Sequence, residues 1–487
     1  MSLTRRSLIG GTAGLLSVAA VTQSYAWVTG PAGKTIRTDV LVIGSGLSGI
    51  VAALAARERG AQVLLIDKAR RDMRGGNSRV CLGSFLMPKD KSPEARTAFI
   101  EDVAKKSMGG GRTDLYEVLA DQILDAVAWA EKHGARFEPW LQQSPWRLGV
   151  RIASPGQYRG MPKLLEALHT AYEKAGGKAQ YQTKAVRLLV NSKGAVCGCR
   201  VKTRKGLVDI EAKAVVLATG GYSANPALLE AAHPGGANIL IRGNKWMTGD
   251  GIFLGREIGA GVRGMAGVES LHLPVVYRGP KGNGSPTRAM PYCLGINREG
   301  RRFVDESIGY AAFGKATLKQ SQQQVALIFD EKTRQAEKRI GMSMTLFEKA
   351  GGGLITADGI DDLAVKLGVP AGVLKETVES FNAKVREDGT APEAVPPKAH
   401  LAARLDMKGR LYAFYPLTPS ITMVYGGLTI DTKARVTAQD GDVIRGLYAA
   451  GETVNLYYMD YHGGGILSQC LAFGRLAGEG AAKLAGH

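Results

Sequence analysis

The sequence predicts an α/β protein: a Rossmann-like dinucleotide-binding domain built from both ends of the chain, with a second, α+β domain inserted between them. Three observations carry this. A strand, a glycine-rich turn, a helix, a second strand and an acid follow one another between Asp39 and Asp67. Strand character followed by a glycine-led helix returns near the other end, from Tyr425 to Leu484. Between them, from about Gly267, strands and irregular segments alternate with helical stretches. The implied organisation is 36–265 and 421–487 for the nucleotide-binding domain and 266–420 for the insert.

In chain order, the first feature is an address. Thr4-Arg5-Arg6-Ser7-Leu8-Ile9 is a twin-arginine pattern, an apolar run follows from Leu8 to Val21, and Ser24-Tyr25-Ala26 offers a small-x-small cleavage site. Residues 1–26 read as a signal that sends a folded protein to the periplasm. The run is too short and too rich in Gly and Thr to be a permanent membrane anchor.

Residues 40–43 form a continuous apolar run, as a parallel strand buried on both faces requires. It enters Gly44-Ser45-Gly46-Leu47-Ser48-Gly49. Gly44 allows a tight turn, Gly46 lets the backbone approach a pyrophosphate, and Gly49 lets the helix over 50–56 pack close to the strand. That helix offers its N-terminal N–H groups to phosphate. Asp67 ends the second strand, 63–66, where an acid accepts from a ribose hydroxyl.

Next come Arg74-Gly75-Gly76-Asn77-Ser78, a helical region over about 94–133, and a strand-rich stretch over 179–210 with a turn at 191–194. Ala214-Val215-Val216-Leu217-Ala218-Thr219-Gly220 is a buried strand ending in small residues, and Thr248-Gly249-Asp250-Gly251 opens a helix over 252–258. In the insert, 360–367 and 371–387 read as helices and 391–397 as a proline-rich surface loop. Gly446-Leu447-Tyr448-Ala449-Ala450-Gly451-Glu452 and the helix over 466–484, led by Gly463-Gly464-Gly465, complete the chain.

Of 487 residues, 63 are Lys or Arg against 44 Asp or Glu, a net charge of +19. The basic residues are spread along the chain and not interleaved with aromatics, which disfavours nucleic acid. A solvated basic surface, or attraction for an anionic substrate or acidic partner, accounts for them. The five cysteines, Cys81, Cys197, Cys199, Cys293 and Cys470, have no metal-ligand spacing. With no C-x-x-C-H, the chain attaches no c-type haem of its own, and no cysteine set suits an iron–sulfur cluster.

Taken in order, these motifs resemble the flavoprotein subunits of the fumarate reductase/succinate dehydrogenase superfamily. Asn297-Arg298-Glu299-Gly300-Arg301-Arg302-Phe303-Val304-Asp305-Glu306 and Phe473-Gly474-Arg475-Leu476-Ala477-Gly478 add to the resemblance, which spans nearly the whole chain after the signal. It implies bound FAD, with the insert as a capping domain over the isoalloxazine. Covalent members place a histidine before the two glycines; Asp72-Met73-Arg74 stands there, which implies non-covalent FAD. The positions carried over as FAD contacts are Gly44, Gly46, Gly49, Asp67 and Lys68, then Gly76, Asn77, Ser78, Ala218, Thr219, Gly220 and Asp250, and finally Gly451, Glu452, Gly465, Ile466 and Leu467. The N–H groups that lead the last helix would stabilise negative charge at the flavin's pyrimidine edge.

The catalytic pattern departs from fumarate reductase. Where the family places a proton-donating arginine after the Asp-Glu element, this chain has Tyr310. Where a second arginine grips a substrate carboxylate, it has Tyr461, followed by His462. His272 fits the family's substrate-binding histidine. Tyr461 with Gly463 and Gly465 looks closer to the Tyr-x-Gly-x-Gly of flavin-dependent 3-ketosteroid dehydrogenases. The resemblance implies an oxidoreductase of a CH–CH/C=C bond beside a carbonyl, with a tyrosine or histidine exchanging the proton. Its electron partner would be a separate cytochrome c or a quinone-linked protein. An aryl or imidazolyl acrylate reductase is the first alternative. A flavin-bearing electron carrier without substrate chemistry is another, and an inserted capping domain disfavours it.

Overall fold

The computed structural model describes residues 33, 35–81, 83–107, 109–139, 150–153, 160–265, 271–272, 284–458 and 463–487. The signal segment, Tyr461 and His462 lie outside these residues.

Strand β1 (Thr35–Ile43) leads through the glycine turn into α1 (Leu47–Glu58), and β2 (Val63–Ile66) lies parallel to β1, Val40 opposite Val63 and Ile43 opposite Ile66. Helices α2 (Pro93–Lys106), α3 (Thr113–Lys132) and α4 (Gly160–Lys174) follow. Then β3 (Lys178–Gln180) joins β2, and β4 (Lys184–Val190), β5 (Val196–Thr203) and β6 (Gly206–Leu217) form an antiparallel meander. After α5 (Asp250–Glu257), the chain returns much later as β7 (Arg435–Thr437), β8 (Val443–Ala449) and α6 (Gly465–Ala485). The sheet runs β7–β8–β6–β1–β2–β3, and β8, β6, β1, β2 and β3 are mutually parallel.

Residues 40–43 of β1 and 214–217 of β6 are buried on both faces, which explains their unbroken apolar runs. Helix α1 is buried on every side, from Leu47 to Ala56, because α6 and α4 both pack on it. A Cβ at Gly478 of α6 would stand 2.2 Å from the Ala52 carbonyl oxygen, and one at Gly474 2.8 Å from that of Ser48. Glycine at both places lets the two helices approach backbone to backbone.

The helical region expected over 94–133 is two helices. The break falls at Gly110-Gly111, where Cβ atoms would lie 1.9 Å from the Tyr458 ring and 1.6 Å from the Tyr116 hydroxyl. Arg112 N–H donates to Leu456 O, so a tyrosine-bearing segment from the far end of the chain occupies the gap.

The chain folds as two compact units. One takes the residues to Ala237, Gly243–Ser270 and Met423–His487; the other takes Asn238–Arg242 and Leu271–Thr422. The second is built on a four-stranded antiparallel sheet, in the order Leu294–Asn297, Val325–Asp330, Arg410–Leu417 and Leu354–Asp358, with helices Ile360–Leu367 and Ala371–Lys384 packed at one side. Its core holds an ionic triad. Glu306 accepts from Arg302 Nε and Nη2 at 3.0 and 2.9 Å and from Gly295 N–H at 2.8 Å, and Lys398 Nζ lies 3.4 Å away. None of the three side chains is more than 1% exposed. No helix among the described residues is long and apolar enough to cross a membrane.

Candidate active site

The carboxyl ends of β1, β2, β6 and β8 converge, the place where open α/β sheets bind ligands. At the end of β1, Gly44 has φ +110°, and its Cβ would stand 2.2 Å from Ala218 O. A Cβ at Gly49 would stand 1.9 Å from Gly44 O. The protein itself requires both glycines. Gly46 differs, since its Cβ would meet nothing nearer than Gly75 O at 3.7 Å. Packing does not demand glycine there, which leaves the backbone open to a close approach. With Gly46 as N-cap and no acid in the first turn, α1 opens toward a phosphate-sized anion, and Leu47 N–H donates to Ser78 Oγ at 3.2 Å.

Asp67 does more than the sequence implies. Its Oδ2 accepts from Ser45 N–H at 2.8 Å and from Ser45 Oγ at 2.5 Å, and its Oδ1 from Ala69 N–H at 2.7 Å. Three of about four acceptor positions on the carboxylate thus tie the glycine turn to the end of β2. Behind the turn, His169 Nε2 of α4 lies 3.3 Å from Ser45 O. Burial, with Arg74 nearby, pushes its pKa down to about 4, so the ring is neutral and donates through Nε2–H.

Lys68 Nζ donates to Thr248 Oγ1 at 2.6 Å and to Asp250 Oδ2 at 2.9 Å. Burial alone would raise the Asp250 carboxyl; Lys68 and Lys184 overcome it and hold the group below its ordinary range. Asn77 Nδ2 donates to Glu452 Oε2 at 3.2 Å, and Asn77 Oδ1 accepts from Asn244 N–H at 2.7 Å. Glu452 Oε1 accepts from Val424 N–H at 2.9 Å. Burial pushes the Glu452 carboxyl up to about 7 against these donors.

At the end of β6, Ala218 N–H donates to Ile43 O, Thr219 Oγ1 lies 3.3 Å from Thr453 Oγ1, and Gly220 packs on Met247. Gly451 leaves room for Ser48 of α1 and Cys470 of α6, both of which its Cβ would strike. In α6, Gly465 and Leu467 are buried and Ile466 half-buried, and Gln469 Nε2 donates to Gly451 O at 2.9 Å. Two glycine-led helix N-termini, a buried polyol-sized set of donors and acceptors, and a turn needing glycine for no packing reason fit a dinucleotide.

A family model described as FAD binding domain matches residues 39–467. The chain belongs to this family. It is an FAD-binding oxidoreductase of the fumarate reductase/succinate dehydrogenase flavoprotein superfamily. The "Probable fumarate reductase Ifc3" of Shewanella frigidimarina is 30% identical over 460 residues, covering 93% of this chain and 76% of that protein. A urocanate reductase of Eggerthella lenta is 28% identical over 471 residues, covering 93% and 76%. The open conformation of a flavocytochrome c3 fumarate reductase superposes with a TM-score of 0.75 at 28% identity, covering 97% of this chain and 81% of that one.

In this flavoprotein the candidate proton-transfer residues divide. Tyr310 opens helix Tyr310–Leu318 after Gly309 and is half-buried against an aromatic cluster that includes Phe313. His272 lies on strand Leu271–His272, opposite Ser420, and that strand packs beside the helix Tyr310 opens. Both belong to the second unit. Tyr461 and His462 fall outside the described residues. Sequence reasoning missed Ser45, Ser48, Asn244, His169 and Gln469. Ser45 and Ser48 sit at variable positions of the fingerprint, and nothing in the spacing marks the other three.

Proposed function

We propose that this flavoprotein is an exported enzyme acting on a CH–CH/C=C bond beside an activating carbonyl. The observation that carries this is similarity over nearly the whole chain to enzymes named for fumarate and urocanate, acids whose reducible bond is a conjugated C=C. Bound FAD supplies the two-electron chemistry. The chain's own residues position and protonate. The Gly44–Gly49 turn and α1 hold the pyrophosphate, Asn77 and Glu452 the polyol, and the N-terminus of α6 the pyrimidine edge. A tyrosine hydroxyl, Tyr461 or Tyr310, or a histidine, His272 or His462, exchanges a proton with the substrate's α-carbon. A tyrosine can do so where neighbouring cations or hydrogen bonds lower its pKa. A separate cytochrome or quinone-linked protein as electron partner suits these 487 residues, which hold no C-x-x-C-H.

A second reading, an aryl or imidazolyl acrylate as substrate, is favoured by tyrosines standing at both arginine positions and by the urocanate-reducing relative. The test is an anaerobic screen of flavin bleaching and re-oxidation against fumarate, urocanate, cinnamate-type acids and 3-ketosteroids. A response to none of them would leave an electron carrier as the better account. For export, replacing Arg5 and Arg6 by Lys should keep the protein in the cytoplasm.

A further inference from the structure

Helix α4 has two faces of different character. Met161, Leu164, Leu165, Leu168 and Tyr172 are buried, and His169 reaches the glycine turn. The outer face carries Lys163, Glu166, Thr170 and Lys174, spaced so that they stand in one row. A hollow of about 760 Å³ separates this row from Lys132 and His133 at the end of α3. A second, of about 570 Å³, separates it from Arg71, Arg74 and Arg79 in the turn before and after Gly75-Gly76. The two hollows meet at Glu166.

Six cations line them against two carboxylates, Asp72 and Glu166. Arg74 is paired with Glu166 at 2.6 Å and Arg71 with Glu173 at 2.9 Å. Among the described residues Lys132, Lys163 and Lys174 make no ion pair, while Arg79 donates to Asp72 O and, after Arg70, helps hold the Asp72 carboxyl low. Other surface cations of this unit stand beside an acid, Arg200 by Asp209, Arg37 by Glu211 and Lys213 by Asp39. A cluster of unmatched like charges destabilises the chain alone and is relieved by an acidic surface. Beside the arginines, Met73 and Val80 are 41% and 51% exposed, apolar anchors within a charged rim.

We infer that the outer face of α4, with the ends of α3 and the 71–80 turn, docks the electron partner, a small one-electron redox protein with an acidic face. This rests on the reading above that the electrons are exchanged with a separate protein. The placement suits that role. The 71–80 turn contains Gly76, Asn77 and Ser78, which the resemblance places against FAD. Two encounters, one electron each, supply the pair that reduces one C=C bond with two protons from solvent; in the reverse direction two encounters remove it.

The test uses the FAD-loaded full chain and its Lys132→Glu/Lys163→Glu/Lys174→Glu variant, three exposed residues outside the cradle, with Lys163→Gln as a milder companion. Stopped-flow follows electron exchange with an acidic monohaem cytochrome c and, separately, with reduced methyl viologen, which needs no docking. For the unaltered protein the second-order rate constant with the cytochrome should fall steeply with added NaCl. The triple variant should be at least about tenfold slower at low salt and nearly salt-independent, the single variant intermediate, with FAD content and viologen rate unchanged. Equal cytochrome rates in variant and parent would overturn the docking surface while leaving a separate electron protein in place. No exchange between parent and cytochrome at any salt concentration would overturn both. Binding to phosphatidylglycerol vesicles but not to the cytochrome, lost in the variant, would make this a membrane-facing surface and also overturn the proposal.

Discussion

Asn77 donates its side-chain amide to Glu452 across 375 residues of sequence. The bond joins the turn after β2 to the turn after β8, two halves of one cradle. Glu452 is 7% exposed, and the donors around it, the Asn77 amide and the N–H groups of Val424 and Gly221, are neutral. Among the described residues no cation offsets the loss of water, so desolvation of the carboxylate prevails and the pKa rises to about 7.

That rise has a sign in stability. The folded apoprotein keeps the Glu452 proton in a range where the unfolded chain, at about 4.3, has released it. The contribution is therefore full below about pH 4 and lost as pH climbs through about 7. Glu452→Gln cannot titrate. Relative to that variant, the parent apoprotein should lose roughly 4 kcal/mol across this window. Denaturant unfolding at several pH values checks it, and parallel curves for the two proteins would refute it.

Gly46 and Gly49 should fail differently. Gly49→Ala forces a Cβ against Gly44 O and should destabilise the apoprotein by about 1–3 kcal/mol or more. Gly46→Ala has no such clash, so apoprotein stability should stay within about 0.5 kcal/mol while FAD affinity drops. Thermal unfolding of the apoprotein, with FAD titration beside it, separates the two. Equal instability of both apoproteins would show that packing, not the cofactor, demands Gly46.

Glu306→Gln should destabilise the second unit by about 3–5 kcal/mol, because it leaves Arg302 and Lys398 buried without their counter-charge. Replacing the triad by Met, Leu and Met together should cost less than the single change. Unfolding midpoints in urea give the comparison; a single variant as stable as the parent would mean that the triad contributes little.

Tyr461→Phe removes one hydroxyl. Loss of an acid–base or oxyanion-type contact lowers turnover about 10²- to 10³-fold, at unchanged FAD content. Turnover within a few-fold of the parent would mean that Tyr461 exchanges no proton, and would make Tyr310 or His272 the next residue to replace.

Much of the cradle was legible because its demands are local. Gly44 and Gly49 each serve a turn or a close packing within a few residues, and strand Val63–Ile66 and helix Ile360–Leu367 match their sequence-derived bounds. What was not legible depends on partners far away. The break between α2 and α3 is set by Tyr458, some of Asp67's hydrogen bonds by Ser45, and the state of Glu452 by Asn77 and by burial. Gly109-Gly110-Gly111 was the one visible hint of the break, since three glycines make a poor helix interior.

The contact of α6 with α1 through Gly474 and Gly478 has a consequence in time. The ribosome makes the first glycine turn early and the last helix long afterwards, so a nascent chain holds half a binding site. A site that needs both turns is complete only once the late helix has closed on the early one.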